Sequence, residues 1–120
     1  MTELLFEVPR EKVSWISGGK EYGVEVRGIN DEDLISLLKG HKDQLVKAFE
    51  AIESKGESIE KLEEFGPELL SEFPELVAKL IALAADNPDG APVVRKWPAP
   101  IKLRALITIW NLKQEDGIQR

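Results

Sequence analysis

Few side chains in this 120-residue chain have the types and spacing that chemistry requires. There is no cysteine, which excludes disulfide scaffolds, thiolate zinc sites, iron–sulfur clusters and cysteine nucleophiles. The single histidine, His41, follows a predicted helix end. An imidazole there sits favourably beside the last carbonyls, so His41 reads as a capping or packing residue and not as a base or a metal ligand. The acid clusters Asp31-Glu32-Asp33 and Glu63-Glu64 lack the alternating oxygen ligands and central glycine of a calcium loop. They read as helix N-terminal charges and solvated faces. Ser17-Gly18-Gly19-Lys20 is too short for a phosphate loop, which needs GxxxxGK[ST] and a following helix. Neither a catalytic residue nor a cofactor or metal site is expected.

Charge is the more informative signal. Arg95, Lys96, Lys102 and Arg104 gather around Trp97, and basic residues interleaved with an aromatic can bind single-stranded nucleic acid. The chain as a whole opposes that reading, because 16 Lys and Arg against 22 Asp and Glu leave a net charge of −6, which repels a polyanion. Residues 50–75 hold nine Glu against Lys55 and Lys61, a net −7, while residues 91–120 hold six bases against Glu115 and Asp116, a net +4. This layout predicts that Arg95, Lys96, Lys102 and Arg104 of one copy meet Glu60, Glu63, Glu64 and Glu68 of another in a head-to-tail contact.

The elements that position these groups follow from periodicity. Val13 and Trp15, then Tyr22, Val24 and Val26, keep period two on either side of Gly18-Gly19, which predicts a hairpin, and residues 4–8 are a candidate third strand. Tyr22, Val24 and Val26 share one face, leaving Glu21, Glu25 and Arg27 for a wet face. Asn30 with Asp33 three residues on marks a helix start, Leu34, Leu37 and Leu38 its buried stripe, and Gly40 a left-handed stop. A second helix spans about 42–54. The near-repeat Phe65-Gly66-Pro67-Glu68-Leu69 and Phe73-Pro74-Glu75-Leu76 reads as two helix starts, giving a short helix over 58–65, a turn at 67–70 and a stronger helix over 74–85. Asp86-Asn87-Pro88-Asp89-Gly90 ends that helix. The last helix spans about 99–113 and is apolar on two stripes, Leu103, Leu106, Ile107, Trp110 and Ile101, Ala105, Ile109, Leu112, so it calls for two partners. The fold class is mainly α: one domain over 1–120, β-rich in 1–27 as a hairpin or three-stranded meander, a bundle of four to five short helices in 30–113, and a frayed tail at 114–120. The apolar run of residues 76–85 contains Lys79 and is about half the length that a membrane span requires. Neither a membrane nor nucleic acid is expected as a partner.

Three stretches carry a family likeness: Tyr22-Gly23-Val24-Glu25-Val26-Arg27-Gly28 running into Leu34 to His41, Phe73-Pro74-Glu75-Leu76-Val77-Ala78-Lys79-Leu80-Ile81-Ala82-Leu83-Ala84, and Trp97-Pro98-Ala99-Pro100-Ile101-Lys102-Leu103. Over most of residues 20–113 the pattern resembles the tail assembly chaperones, or pre-tape-measure proteins, of long-tailed bacteriophages. The resemblance implies a non-catalytic helical protein that binds the hydrophobic helical tape measure protein during tail morphogenesis. It further implies a protein that acts in the cytoplasm of the infected bacterium and is not expected in the mature virion. It also implies open or ring-like homo-oligomers, and a frameshifted longer form that reaches the tail tube protein. Leu76, Leu80, Ile101, Leu103, Ile107 and Trp110 are the residues expected to face a client or a second copy. The alternative is a small helical adaptor or regulator of one protein target.

Overall fold

The computed structural model describes residues 9–54 and 62–118. The candidate strand at 4–8 lies outside them. Two strands, β1 (Arg10–Ser17) and β2 (Lys20–Arg27), pair antiparallel with Val13 opposite Val24 and Trp15 opposite Tyr22. Gly18 and Gly19 have φ of +61° and +77°, the two consecutive positive values that a two-residue hairpin turn of the right hand demands. Then come α1 (Asp31–Ser54), α2 (Leu62–Glu72), α3 (Pro74–Ala84), a 3₁₀ turn at Pro88–Gly90, α4 (Ala91–Val94) and α5 (Ala99–Ile118). The hairpin-plus-five-helix architecture is the one the sequence predicts.

The start of α1 is a reciprocal cap. The Asp33 amide donates to Asn30 Oδ1 at 2.8 Å, and the Asn30 amide donates to Asp33 Oδ2 at 3.0 Å, so two otherwise orphan N–H groups are satisfied. Gly40 does not end the helix, since the left-handed glycines among the described residues are Gly18 and Gly19. The break falls one residue on, at His41 (φ −141°, ψ 38°), and α1 is two helices joined at that kink. Pro67 does not start a helix either. It lies inside α2, and Gly66 before it has no Cβ to clash with the proline ring. Gly66 also admits Leu103 of α5 so closely that a Cβ there would overlap Leu103 Cδ1. Packing on α5 therefore holds one helix together where local signals predict a stop.

The core lies on both sides of α3. Val77, Ala78, Ile81, Ala82 and Ala84 pack with Val13 and Val26 of the hairpin and with Ile101, Ala105, Leu106, Ile109 and Leu112 of α5. Phe73, Leu76 and Leu83 pack on the other side against Leu37, Leu45 and Ala48 of α1. A helix apolar nearly all round is one that is buried all round. The two stripes of α5 find their two partners within the chain, namely α3 with the hairpin, and α2. Trp15 ties the hairpin to the approach to α5, stacking on Tyr22 at 5.8 Å between centroids and packing tilted, at 54°, against Trp97 at 4.8 Å.

Arg27 is the principal departure from the expected wet sheet face: it is 8 % exposed. Its Nη1 and Nη2 donate to the two Asp33 carboxylate oxygens at 2.5 and 3.2 Å. Nε and Nη2 donate to Asp86 Oδ1 at 3.0 and 2.8 Å, and the Leu83 and Gly28 carbonyls accept the rest. Asp86, at φ 59°, occupies the left-handed position after α3. Its amide bonds to Leu83 O, and the Asn87 amide to Ala82 O, the paired bonds of a Schellman end normally built on glycine. Asp86 also reaches Arg10 at 2.9 Å, and so bridges two arginines that sit opposite each other in the ladder.

The hydrogen bond to Asp33 raises the Arg27 pKa above its ordinary value, and that to Arg27 lowers the Asp86 pKa. Arg27→Met leaves the Asp33 carboxylate buried without its cation, and is expected to cost about 3–5 kcal/mol in urea unfolding. For a carboxyl whose pKa is lower folded than unfolded, the stabilisation is complete above the unfolded value of about 3.9 and is lost as pH falls through the folded value. Stability is therefore expected to drop on acidification through that window, with a shallower acid limb in Asp86→Asn; equal acid limbs in the two proteins would exclude this role for Asp86.

Candidate functional site

The Arg27 pair decides which face of α1 is wet. Asp33 is 5 % and Leu37 1 % exposed; one turn apart, they share the face turned to α3. Leu34 and Leu38, expected in the buried stripe, are thereby rotated outward to 39 % and 41 % exposure, and Ile35 reaches 52 %. Asp31, Leu34, Ile35 and Leu38 stand at i, i+3, i+4 and i+7, which places an acidic residue and three large apolar ones on a single exposed face. Val46 further along α1 and Val93 on α4 are exposed as well. Sequence reasoning placed the free apolar surface on α3 and α5, and the signal that pointed to α1 was the buried carboxylate at Asp33.

Where α1 kinks, α3 and α4 complete a cleft of about 430 Å3 lined by His41, Glu75, Ala78, Lys79, Ala91, Pro92 and Arg95. Its apolar part comes from Ala78, Ala91 and Pro92, and its rim carries both signs of charge. Arg95 pairs with Glu75 at 3.5 Å, both well exposed, a contact that contributes under about 1 kcal/mol. Lys79 donates to the Pro88 carbonyl at 3.1 Å. His41 sits half-buried at the kink. The kink and the short α4 leave this concavity open over α3.

The residues expected to meet a partner are distributed unevenly. Leu76 and Ile101 are in the core at 4 % and 7 % exposure. Leu80, Leu103, Ile107 and Trp110 are half-buried, with Leu103 against Gly66 and the Trp110 indole N–H without a hydrogen-bond partner. Among the basic group, Arg95 pairs with Glu75, Lys102 donates to the Arg95 carbonyl at 3.3 Å, and Arg104 donates to the Ser14 carbonyl, fastening α5 to the hairpin. Lys96 is exposed, and Glu68 is exposed on α2. Glu60 and the side chains of Glu63 and Glu64 lie outside the described residues. The described residues contain no group of three side chains able to hold a metal ion, and no helix among them is long and apolar enough to cross a membrane.

The model of one protein family, described as Pre-tape measure protein, matches residues 1–119. No curated protein and no solved structure matches.

The division of α1 into a buried and a free face is measurable. Leu38→Ser and Ile35→Ser are expected to change unfolding free energy by no more than about 0.5 kcal/mol, as surface positions do. Leu37→Ala, on the α3 side, is expected to cost about 2–5 kcal/mol. Similar losses at Leu37 and Leu38 would mean that the helix is rotated otherwise.

Proposed function

The chain belongs to the pre-tape measure protein family, and from that premise we propose that it is a non-catalytic tail assembly chaperone, which binds the long, hydrophobic, helical tape measure protein in the cytoplasm of an infected bacterium before the tail tube forms around it. The observation that supports this reading beyond family membership is the cleft over α3. It is open, and its lining combines the apolar Ala78, Ala91 and Pro92 with the charged Glu75, Lys79 and Arg95. A row of side chains from an amphipathic client helix seats in such a groove with its polar flanks against the rim, the helix-in-groove mode of recognition.

Binding of this kind involves no covalent step. One cleft of this size buries few client side chains, so each contact is weak and reversible, as release to the tail tube requires. Strength comes from number: several copies on one long client act as linked sites, and avidity rises steeply with the number engaged. Self-association of the chaperone along the client adds to the same effect. The acidic excess of the chain, −6, favours its solubility.

Co-expression with its tape measure protein tests the reading. The client is expected in the pellet when expressed alone and in the supernatant, co-purifying, when expressed with the chaperone. Ala91→Phe fills the cleft from α4 and is expected to reduce co-purification several-fold while the far-UV spectrum and urea midpoint stay unchanged. A client that remains insoluble with the wild-type chain, or that Ala91→Phe captures equally well, would overturn the proposal.

A further inference from the structure

We propose that the outer edge of β2 is a self-contact: it pairs antiparallel with β2 of a second copy about a two-fold axis at Tyr22, joining the two hairpins into one continuous sheet. This specifies one contact within the self-association proposed above and does not depend on where the client binds.

The register of the hairpin shows which backbone groups are free. A two-residue turn at Gly18-Gly19 makes Ser17 and Lys20 a hydrogen-bonded pair, so Trp15–Tyr22, Val13–Val24 and Glu11–Val26 are hydrogen-bonded pairs as well. The residues between them turn their backbone groups out of the hairpin. On β1 this edge is covered, since Arg104 of α5 donates to the Ser14 carbonyl. On β2 the corresponding residues Glu21, Gly23 and Glu25 are exposed, and among the described residues their outward amides and carbonyls take no hydrogen bond. An edge of this kind is a template for strand addition.

Charge selects the occupant and the register. Lys12 stands opposite Glu25 in the ladder and so shares a sheet face with Glu21 and Gly23. A Cβ at Gly23 would lie 2.5 Å from Lys12 Cε and 3.4 Å from its Nζ, so the lysine stem crosses the bare glycine and brings its ammonium to the edge strand. With Tyr22 on the axis, Glu21 of one copy stands opposite Gly23 of the other and meets the Lys12 ammonium held there, and the two-fold makes the pair twice. Glu21 and Lys12 are exposed, and among the described residues no ion pair engages either. The neighbouring registers fail. An axis at Gly23 sets Glu21 against Glu25, and an axis at Glu21 sets it against itself. An axis at Val24 needs the backbone of Arg27, which is 8 % exposed and held by Asp33 and Asp86. Opposed charges of this kind fix register and orientation more than they add affinity.

The other face of the sheet agrees. Tyr22 is 42 % exposed, and directly opposite its own copy it carries the Trp15–Tyr22 stack across the axis as a cross-strand aromatic pair. Residues 4–8, the other strand-like stretch of the sequence, carry Glu7 and no base to meet the acids of this edge. Pairing confined to the stretch from Lys20 to Val24 is at the small end of specific interfaces, so it is weak and reversible. An isologous contact closes on itself, so it joins copies in twos.

Sedimentation of the intact chain over a range of concentrations tests the assignment, with far-UV circular dichroism to confirm folding. The wild type is expected to dimerise reversibly. Glu21→Pro removes an amide that the hairpin itself does not use, at an edge position where strands tolerate proline, and is expected to weaken dimerisation by at least about tenfold. Glu21→Lys and Lys12→Glu are each expected to weaken it at low salt, and the two together in one chain to restore it. Since the chain has no cysteine, Lys20→Cys mixed with Val24→Cys is expected to form the mixed disulfide faster than either variant links to itself. Self-association that survives Glu21→Pro, or Val24→Cys that links chiefly to itself, would overturn this contact and leave the proposed self-association standing. A chain that stays monomeric at every concentration would overturn both, and a loss of client co-purification in Glu21→Pro of such a monomer would assign the edge to the client instead. Capture of the tape measure protein by the cleft is judged separately, by co-expression with the wild type and Ala91→Phe.

Discussion

One buried guanidinium organises this protein. Arg27 ends the second strand where the first helix begins and the third helix stops, and its donors reach all three: the Asp33 carboxylate, the Leu83 carbonyl and the Asp86 carboxylate. A charge taken out of water must be matched by opposite charge and by hydrogen bonds at good geometry, or the group does not stay buried. Arg27 meets that condition through partners brought from distant parts of the chain. Asp86 accepts a left-handed backbone to deliver its share. Polar networks of this kind are directional in a way that apolar contact is not, so the network determines how the elements are rotated and not simply that they touch.

The rotation of α1 is the consequence that matters for function. With Asp33 drawn inward, Leu37 follows it, and the remaining large residues of that half-helix face solvent. Much of the other apolar surface among the described residues is committed elsewhere, although Ile16 and Val93 are also exposed, at 75 % and 64 %. The third helix is enclosed on both sides, and the two apolar stripes of α5 are divided between α3 with the hairpin and α2. Among the described residues, what a partner can reach thus includes the outer face of α1 and the cleft at its kink. The two surfaces differ in kind, since one projects as a row and the other recedes as a groove.

That separation suits the proposed task of holding another chain and then letting go. A client seated in the proposed groove would leave the outer face of α1 uncovered, and a contact of that size is small enough to be undone. Most of the basic residues near Trp97 are engaged inside the chain by a carboxylate or by backbone carbonyls, so the positive end of the molecule serves its own fold first. The chain belongs to the pre-tape measure protein family, and the proposed mechanism of reversible burial asks for no catalytic group of its single histidine, which is placed at a helix break.

The local elements were legible in the sequence because local chemistry dictates them. Gly18-Gly19 can supply two positive φ angles, Asn30 with Asp33 caps a helix, Pro74 opens α3 and the run from Asp86 to Gly90 closes it, each through bonds within a few residues. The hairpin-then-helices architecture and the family resemblance follow from the same pattern. The face of α1 that is buried, the dry environment of Arg27, the passage of α2 through Pro67 and the second partner of α5 were not legible. Leu34, Leu37 and Leu38 fall within one arc, and periodicity cannot choose among them. The choice was made by an arginine that binds Asp33 six residues away and Asp86 fifty-nine residues away at once, and by a leucine that fits where Gly66 has no side chain. Such contacts exist only when the chain has folded, so the tertiary structure alone decided where its binding surfaces lie.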